Sequence, residues 1–111
     1  MPILRIKSME NGKVDSRYIQ SLDLELSNLG RESFEFLLLG YAPKGLVYRG
    51  LHHLGQGSTV FIPRINTDYA PFDLLVVTNA STYMTTGLTL KAWNQEQYVA
   101  LFTQEDAIRD H

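Results

Sequence analysis

Residues Ser21-Leu22-Asp23-Leu24-Glu25-Leu26-Ser27 alternate apolar and polar without a fault. Successive side chains of a strand point to opposite faces, so this period of two puts three leucines on one side and two carboxylates on the other. On a helix the same leucines would scatter over too wide an arc to form one apolar face. The segment is expected as a half-buried strand, and the chain must supply a second layer to cover its leucines.

The same period recurs, punctuated by turn residues. Asn28-Leu29-Gly30-Arg31 reads as a turn, because Gly30 accepts a positive φ and Asn28 tolerates one. Ser33 to Gly40 carries Phe34, Phe36 and Leu38 on one face and Leu37 and Leu39 on the other. Apolar side chains on both faces call for cover on both, from a neighbouring element or from another subunit. Ala42-Pro43-Lys44-Gly45 has Pro and Gly where a β-turn takes them, and Leu46 to Leu51 returns as a strand. His52 to Gly57 is expected as a loop. Ser58 to Ile62 is β-branched and aromatic, and Pro63 ends it or places it at a sheet edge. Leu74 to Thr78 is a short apolar strand; Gly87 to Trp93 alternates, with Leu88, Leu90 and Ala92 opposite Trp93; Gln97 to Phe102 is the last strand. Near the start, Ile3 to Lys7 reads as a strand, and Asn11-Gly12 as a hairpin turn with Val14 to Ile19 as the returning partner. Thr103-Gln104-Glu105-Asp106 has the form of a capping box that opens one short C-terminal helical turn; a frayed polar tail is the alternative.

No long stretch has helical period, and no repeat or linker divides the chain. Seven to nine short strands predict an all-β fold, a small antiparallel β-sandwich or jelly roll, in a single domain over residues 1–111. A hydrophobic content of 44% suits a folded core. Twelve acids against ten bases give a net charge of -2, which argues against nucleic acid as a partner. The absence of Cys removes disulfides, thiolate metal sites and thiol nucleophiles. No run approaches the ~18–20 apolar residues of a membrane helix, and no export signal is visible. The expected location is cytoplasmic, or an extracellular or viral assembly reached without a signal peptide.

Charge is unevenly spread. From Gly50 to Gln95 the charged residues are Arg64, Asp68, Asp73 and Lys91 alone. Uncharged polar side chains with interleaved aromatics fill the rest, a composition that protein contact surfaces favour. This stretch is therefore expected to be covered by copies of the same chain. Ser58 to Pro63 and Leu74 to Thr78 also carry little of the charge that normally guards an edge strand, so strand addition between subunits is expected if either is an edge. Lys at Thr78 or Thr89 is then expected to disrupt assembly without unfolding the chain.

Chemical constellations are thin. His52 and His53 are adjacent, so on a strand they face opposite ways, and zinc would still need further ligands. Asn66, Asp68 and Asp73 lack the spacing of a calcium loop, and Asn66 and Asp68 read as acceptors of backbone N–H groups in a turn after Pro63. Asp23 and Glu25, two residues apart, read as a solvated strand face. No nucleophile elbow or phosphate loop is present. Arg5, Lys7, Lys13 and Arg17 are interspersed with Glu10 and Asp15, a mixed surface. No catalytic residue, metal or cofactor is expected.

The turn Leu26-Ser27-Asn28-Leu29-Gly30, the Pro-Gly turn at 42–45, the strand ending near Pro63, Thr67-Asp68-Tyr69-Ala70 and the Val76-Val77 strand together resemble the sensory rhodopsin transducer family over about the middle half of the chain. That resemblance implies an oligomeric, non-enzymatic signalling adaptor.

The leading expectation is a structural or interaction protein that self-associates into a homo-oligomer. The alternative is a carbohydrate-binding module in which Trp93, with Asn94, Gln95 and Gln97 beside it, stacks on a sugar. Candidate contact residues for either role are Leu37, Leu39, Tyr48, Phe61, Tyr69, Tyr83, Trp93 and Tyr98.

Overall fold

Alternating patterns become strands throughout the computed structural model, which describes residues 3–9, 12–80 and 83–110, without the side chains of Tyr83 and Asp110. In chain order they are β1 (Ile3–Lys7), β2 (Ser21–Asn28), β3 (Phe34–Ala42), β4 (Gly45–Leu54), β5 (Thr59–Asn66), β6 (Asp73–Thr78), β7 (Thr86–Asn94), β8 (Gln97–Thr103) and β9 (Ile108–Asp110). They form two antiparallel sheets, one of five strands in the order β4-β3-β6-β1-β9 and one of four in the order β5-β2-β7-β8. The fold is the expected small β-sandwich.

The core lies between the sheets. Leu22, Leu24 and Leu26 of β2 are essentially inaccessible and meet Phe36, Leu38, Leu74 and Val76 from the facing sheet within one buried cluster. Each buried leucine contributes ~1.5–3 kcal/mol relative to an exposed one. β2 and β7 pair without interruption from Ser21–Trp93 to Asn28–Thr86, which holds all three leucines on the core side.

The turn after β2 is built around Asn28, a polar residue only 2% exposed. Its Nδ2 donates to the carbonyls of Glu32 (2.7 Å) and Leu54 (3.1 Å), while its Oδ1 accepts from the Gly30 amide at 2.9 Å. Gly30 is needed for space: a Cβ there would lie 2.7 Å from the Thr85 Cγ2.

Three local readings differ from the sequence expectation, and one open alternative, at Pro63, is decided. β4 runs on through His52 and His53 to Leu54, because pairing with Phe34–Phe36 continues past the expected loop start. Of the two readings of Pro63 the edge one holds: β5 continues past it as an edge strand, and the missing N–H is tolerated at a register shift opposite Asp23. The Asp23 Oδ1 accepts the Arg64 amide there at 2.9 Å, filling the gap in the ladder. β6 is not an edge but lies between β3 and β1, and Thr78 is 1% exposed, so lysine at Thr78 would enter the core rather than probe a surface. Val14 to Ile19 is not a returning strand: Asp15 caps a 3-10 turn at Ser16–Tyr18, and Asn11 lies outside the described residues.

The C-terminal segment follows the capping-box reading. Thr103 caps a 3-10 turn over Gln104–Asp106, and the Asp106 carboxylate accepts the Thr103 amide in return at 2.8 Å. β9 then pairs with β1 at Ile3–Asp110 through Arg5–Ile108, in place of a frayed tail.

Candidate interaction surface

Registration of the five-stranded sheet lines up apolar side chains on its outer face, away from the core. One row across the strands is Leu51, Leu37, Val77 and Ile3. The next is Arg49, Leu39, Leu75, Arg5 and Ile108. A third row ends the apolar area with Leu46, Tyr41, Asp73 and Lys7. Leu51 is 69% exposed and Ile108 54%, while Ile3, Leu37, Leu39, Leu75 and Val77 are half-buried by one another. Within this face the Arg5 Nε donates to Asp73 Oδ1 at 2.9 Å, so the charge inside the patch is paired. Arg49, Glu35 and Lys7 stand at its margins, giving an apolar centre and a polar rim.

The outer face of the four-stranded sheet is different in kind. Ser21, Asp23, Glu25 and Ser27 on β2 face the same way as Thr89 and Lys91 on β7. Aromatic residues sit at its ends. Trp93 donates its indole N–H to Asp23 Oδ2 at 3.1 Å and packs edge-to-face with Tyr98 at 5.7 Å between centroids. Tyr69, held at φ 65°, donates to Asn94 Oδ1 at 2.6 Å. Phe61 projects from β5 opposite Glu25 and is exposed.

The candidate residues therefore divide among three places. Leu37 and Leu39 lie at the centre of the apolar face. Phe61, Trp93 and Tyr98 lie on the opposite side of the molecule, with Tyr69 beside Asn94. Tyr48 points inward from β4 and packs on the core, its hydroxyl 3.4 Å from His52 Nε2, while the side chain of Tyr83 lies outside the described residues. His52 stacks on the inward-facing Phe36 at 5.0 Å, and His53 faces the other way. Among the described residues no three His, Asp or Glu side chains gather as metal ligands.

Sequence reasoning named two of the apolar-face residues and missed Ile3, Leu51, Leu75, Val77 and Ile108. The signal was present: the continuous apolar run of β6 has both parities filled, and β6 is sandwiched between strands that repeat this on one side. The low-charge stretch from Gly50 to Gln95 does not form one belt. Its Leu54, Ile62, Ile65, Phe72, Leu74, Val76, Leu88, Leu90 and Ala92 are used by the chain's own core, and outward-facing residues such as Leu51, Leu75, Val77, Phe61, Lys91 and Trp93 fall on two different outer faces.

Asp106 is a titratable group whose carboxyl is clearly displaced. Its ion pair with Lys13 and the Thr103 amide hold its carboxyl below the usual range, against an opposing push from burial.

No family model and no curated protein matches this chain. Among solved structures, a crystal structure of Thermotoga maritima 1070 is similar at 11% identity, over 91% of this chain and 88% of that one, with a TM-score of 0.54. At that identity the likeness is one of fold, and the fold it shows is the β-sandwich.

Proposed function

We propose that this chain is a non-enzymatic structural or interaction subunit that assembles with copies of itself through the outer face of the five-stranded sheet. The observation that carries the reading is the outward-facing apolar row Leu51, Leu37, Val77 and Ile3 beside Leu39 and Leu75, with Leu51 exposed and the others half-buried. Contiguous apolar surface of this kind marks protein contacts, and its central charge is neutralised internally by Arg5 and Asp73. A face with an apolar centre suits isologous packing, in which the same patch meets itself across a two-fold axis. An oligomeric signalling adaptor, the role implied by the resemblance to sensory rhodopsin transducers, would use the same surface. Sedimentation velocity at tens of micromolar tests it. The native chain should sediment as more than one subunit, and Leu37→Glu should weaken that particle at least tenfold with an unchanged circular dichroism spectrum. A native chain that sediments singly removes the proposal.

A second reading, carbohydrate binding, is favoured by the fixed indole. Trp93 is held by Asp23 and flanked by the exposed Tyr98 and the amides of Asn94, Gln95 and Gln97, an arrangement suited to stacking on a sugar. Oligosaccharides should then quench the fluorescence of this single Trp, and a glycan array with no signal would remove the reading.

A further inference from the structure

Four strands form the outer edges of the two sheets, and three are guarded. β4 carries Arg49 and a register shift beside Gly40 and Tyr41; β5 carries Pro63 and Arg64, the latter at φ 57°; β9 is three residues long and contains Arg109. Charge, proline, irregular pairing and shortness are the devices that keep a sheet edge from pairing with another chain. β8, Gln97-Tyr98-Val99-Ala100-Leu101-Phe102-Thr103, has neither charge nor proline. Its one irregularity leaves Val99 without a partner on β7, and Ala100 to Thr103 run in register with Ala92 to Thr89. Tyr98, Val99 and Leu101 are exposed. Among the described residues, no backbone hydrogen bond reaches β8 from the side away from β7.

A groove of about 370 Å³ is lined by Val99, Ala100 and Phe102 of β8 together with Tyr18, Ile19 and the charged Lys13, Asp15 and Arg17. The cations at its rim are engaged within the chain, Lys13 with Asp106 and Arg17 with Asp15. The edge therefore offers main-chain groups and apolar side chains to a strand that is itself uncharged.

We propose that β8 pairs antiparallel with β8 of a second copy across a two-fold axis, joining two four-stranded sheets into one continuous sheet. β8 is the strand in this molecule whose chemistry matches the requirement. An axis at Leu101 sets Leu101 against Leu101 of the second copy on the outer face. On the inner face it sets Ala100 against Phe102 in both directions, small against large. Main-chain hydrogen bonds supply the affinity and these cross-strand pairs fix the register. The contact rests on the reading of the chain as a self-assembling subunit, but it uses the other sheet and is separable from the apolar face.

The test is sedimentation velocity with native mass spectrometry on the full chain. Leu37→Glu, which spoils the apolar face, should leave a two-subunit particle held through β8. Adding Leu101→Lys should reduce it to single chains, because two like charges then meet on the axis. Leu101→Glu on the same background should do the same. Mixing the lysine and glutamate variants should restore a pair containing one of each, which also shows that both are folded. Single chains in Leu37→Glu alone, or persistent pairs in both double variants, would overturn the proposal. If Leu37→Glu changes nothing while Leu101→Lys gives single chains, the edge contact stands and the reading of the apolar face fails.

Discussion

Two polar residues show how little of this fold is left to the hydrophobic effect alone. Asn28 satisfies three backbone groups at once where the chain leaves β2, including the Leu54 carbonyl at the end of β4. Asn28→Ala would leave the buried Leu54 carbonyl without this partner and release two part-buried groups, so it should cost about 1–3 kcal/mol, readable as a lower urea midpoint with an unchanged slope. Asp106 does similar work where the chain passes from β8 to β9, holding both the Thr103 amide and Lys13. Its carboxyl has a lower pKa in the folded chain than in the unfolded one, so the folded state is favoured above the unfolded value. That stabilisation fades as pH falls through the folded value. The thermal midpoint should therefore drop on acidification, and Asp106→Asn should lower the midpoint at neutral pH and flatten its decline in acid. An unchanged pH profile in that variant would show that Asp106 does not govern the response.

On the scale of a strand, one residue separates the core from the proposed contact surface. Val77 and Thr78 are neighbours on β6, yet Val77 lies in the apolar outer row and Thr78, paired with Phe36, is 1% exposed. Val77→Lys should keep the circular dichroism spectrum and, like Leu37→Glu, stop assembly at the two-subunit particle held through β8; Thr78→Lys should unfold the chain outright. Equal effects of the two would mean the outer face is not a contact. This contrast also shows what was legible beforehand. The period of two in β2 and β7 named their inward leucines correctly, because a strand with one wet face repeats its pattern at every step. The two-sided apolarity of β3 correctly put Leu37 and Leu39 on the face away from the core. What the pattern could not give was strand order. Whether β6 lies at an edge or in the middle depends on pairing with β1 and β3, tens of residues away, and a short apolar run looks the same in either place. Pro63 illustrates the same limit: its local meaning, an end or an edge, was resolved only by the Asp23 carboxylate that accepts the neighbouring Arg64 amide. The aromatic candidates separated for a related reason, since Tyr48 and Phe61 lie in different sheets and face in different directions.

For the whole molecule, the two proposed contacts have different geometry and must combine. The apolar face belongs to the five-stranded sheet, whereas β8 is the edge of the four-stranded sheet. One copy can therefore engage both at once, each across its own two-fold axis. Going from copy to copy, the contacts alternate between face and edge. A closed particle must then hold an even number of subunits, since an odd ring would leave one face and one edge unmatched. If the two axes intersect at right angles the particle closes as a four-subunit assembly with D2 symmetry; if they do not meet, the chain of contacts stays open and grows with concentration. Native mass spectrometry distinguishes these outcomes. Leu37→Glu and Leu101→Lys should each stop growth at two subunits, by removing different links, and the native chain should pass beyond two. A discrete closed particle of three or five subunits would break the alternation, and with it the claim that both contacts are isologous.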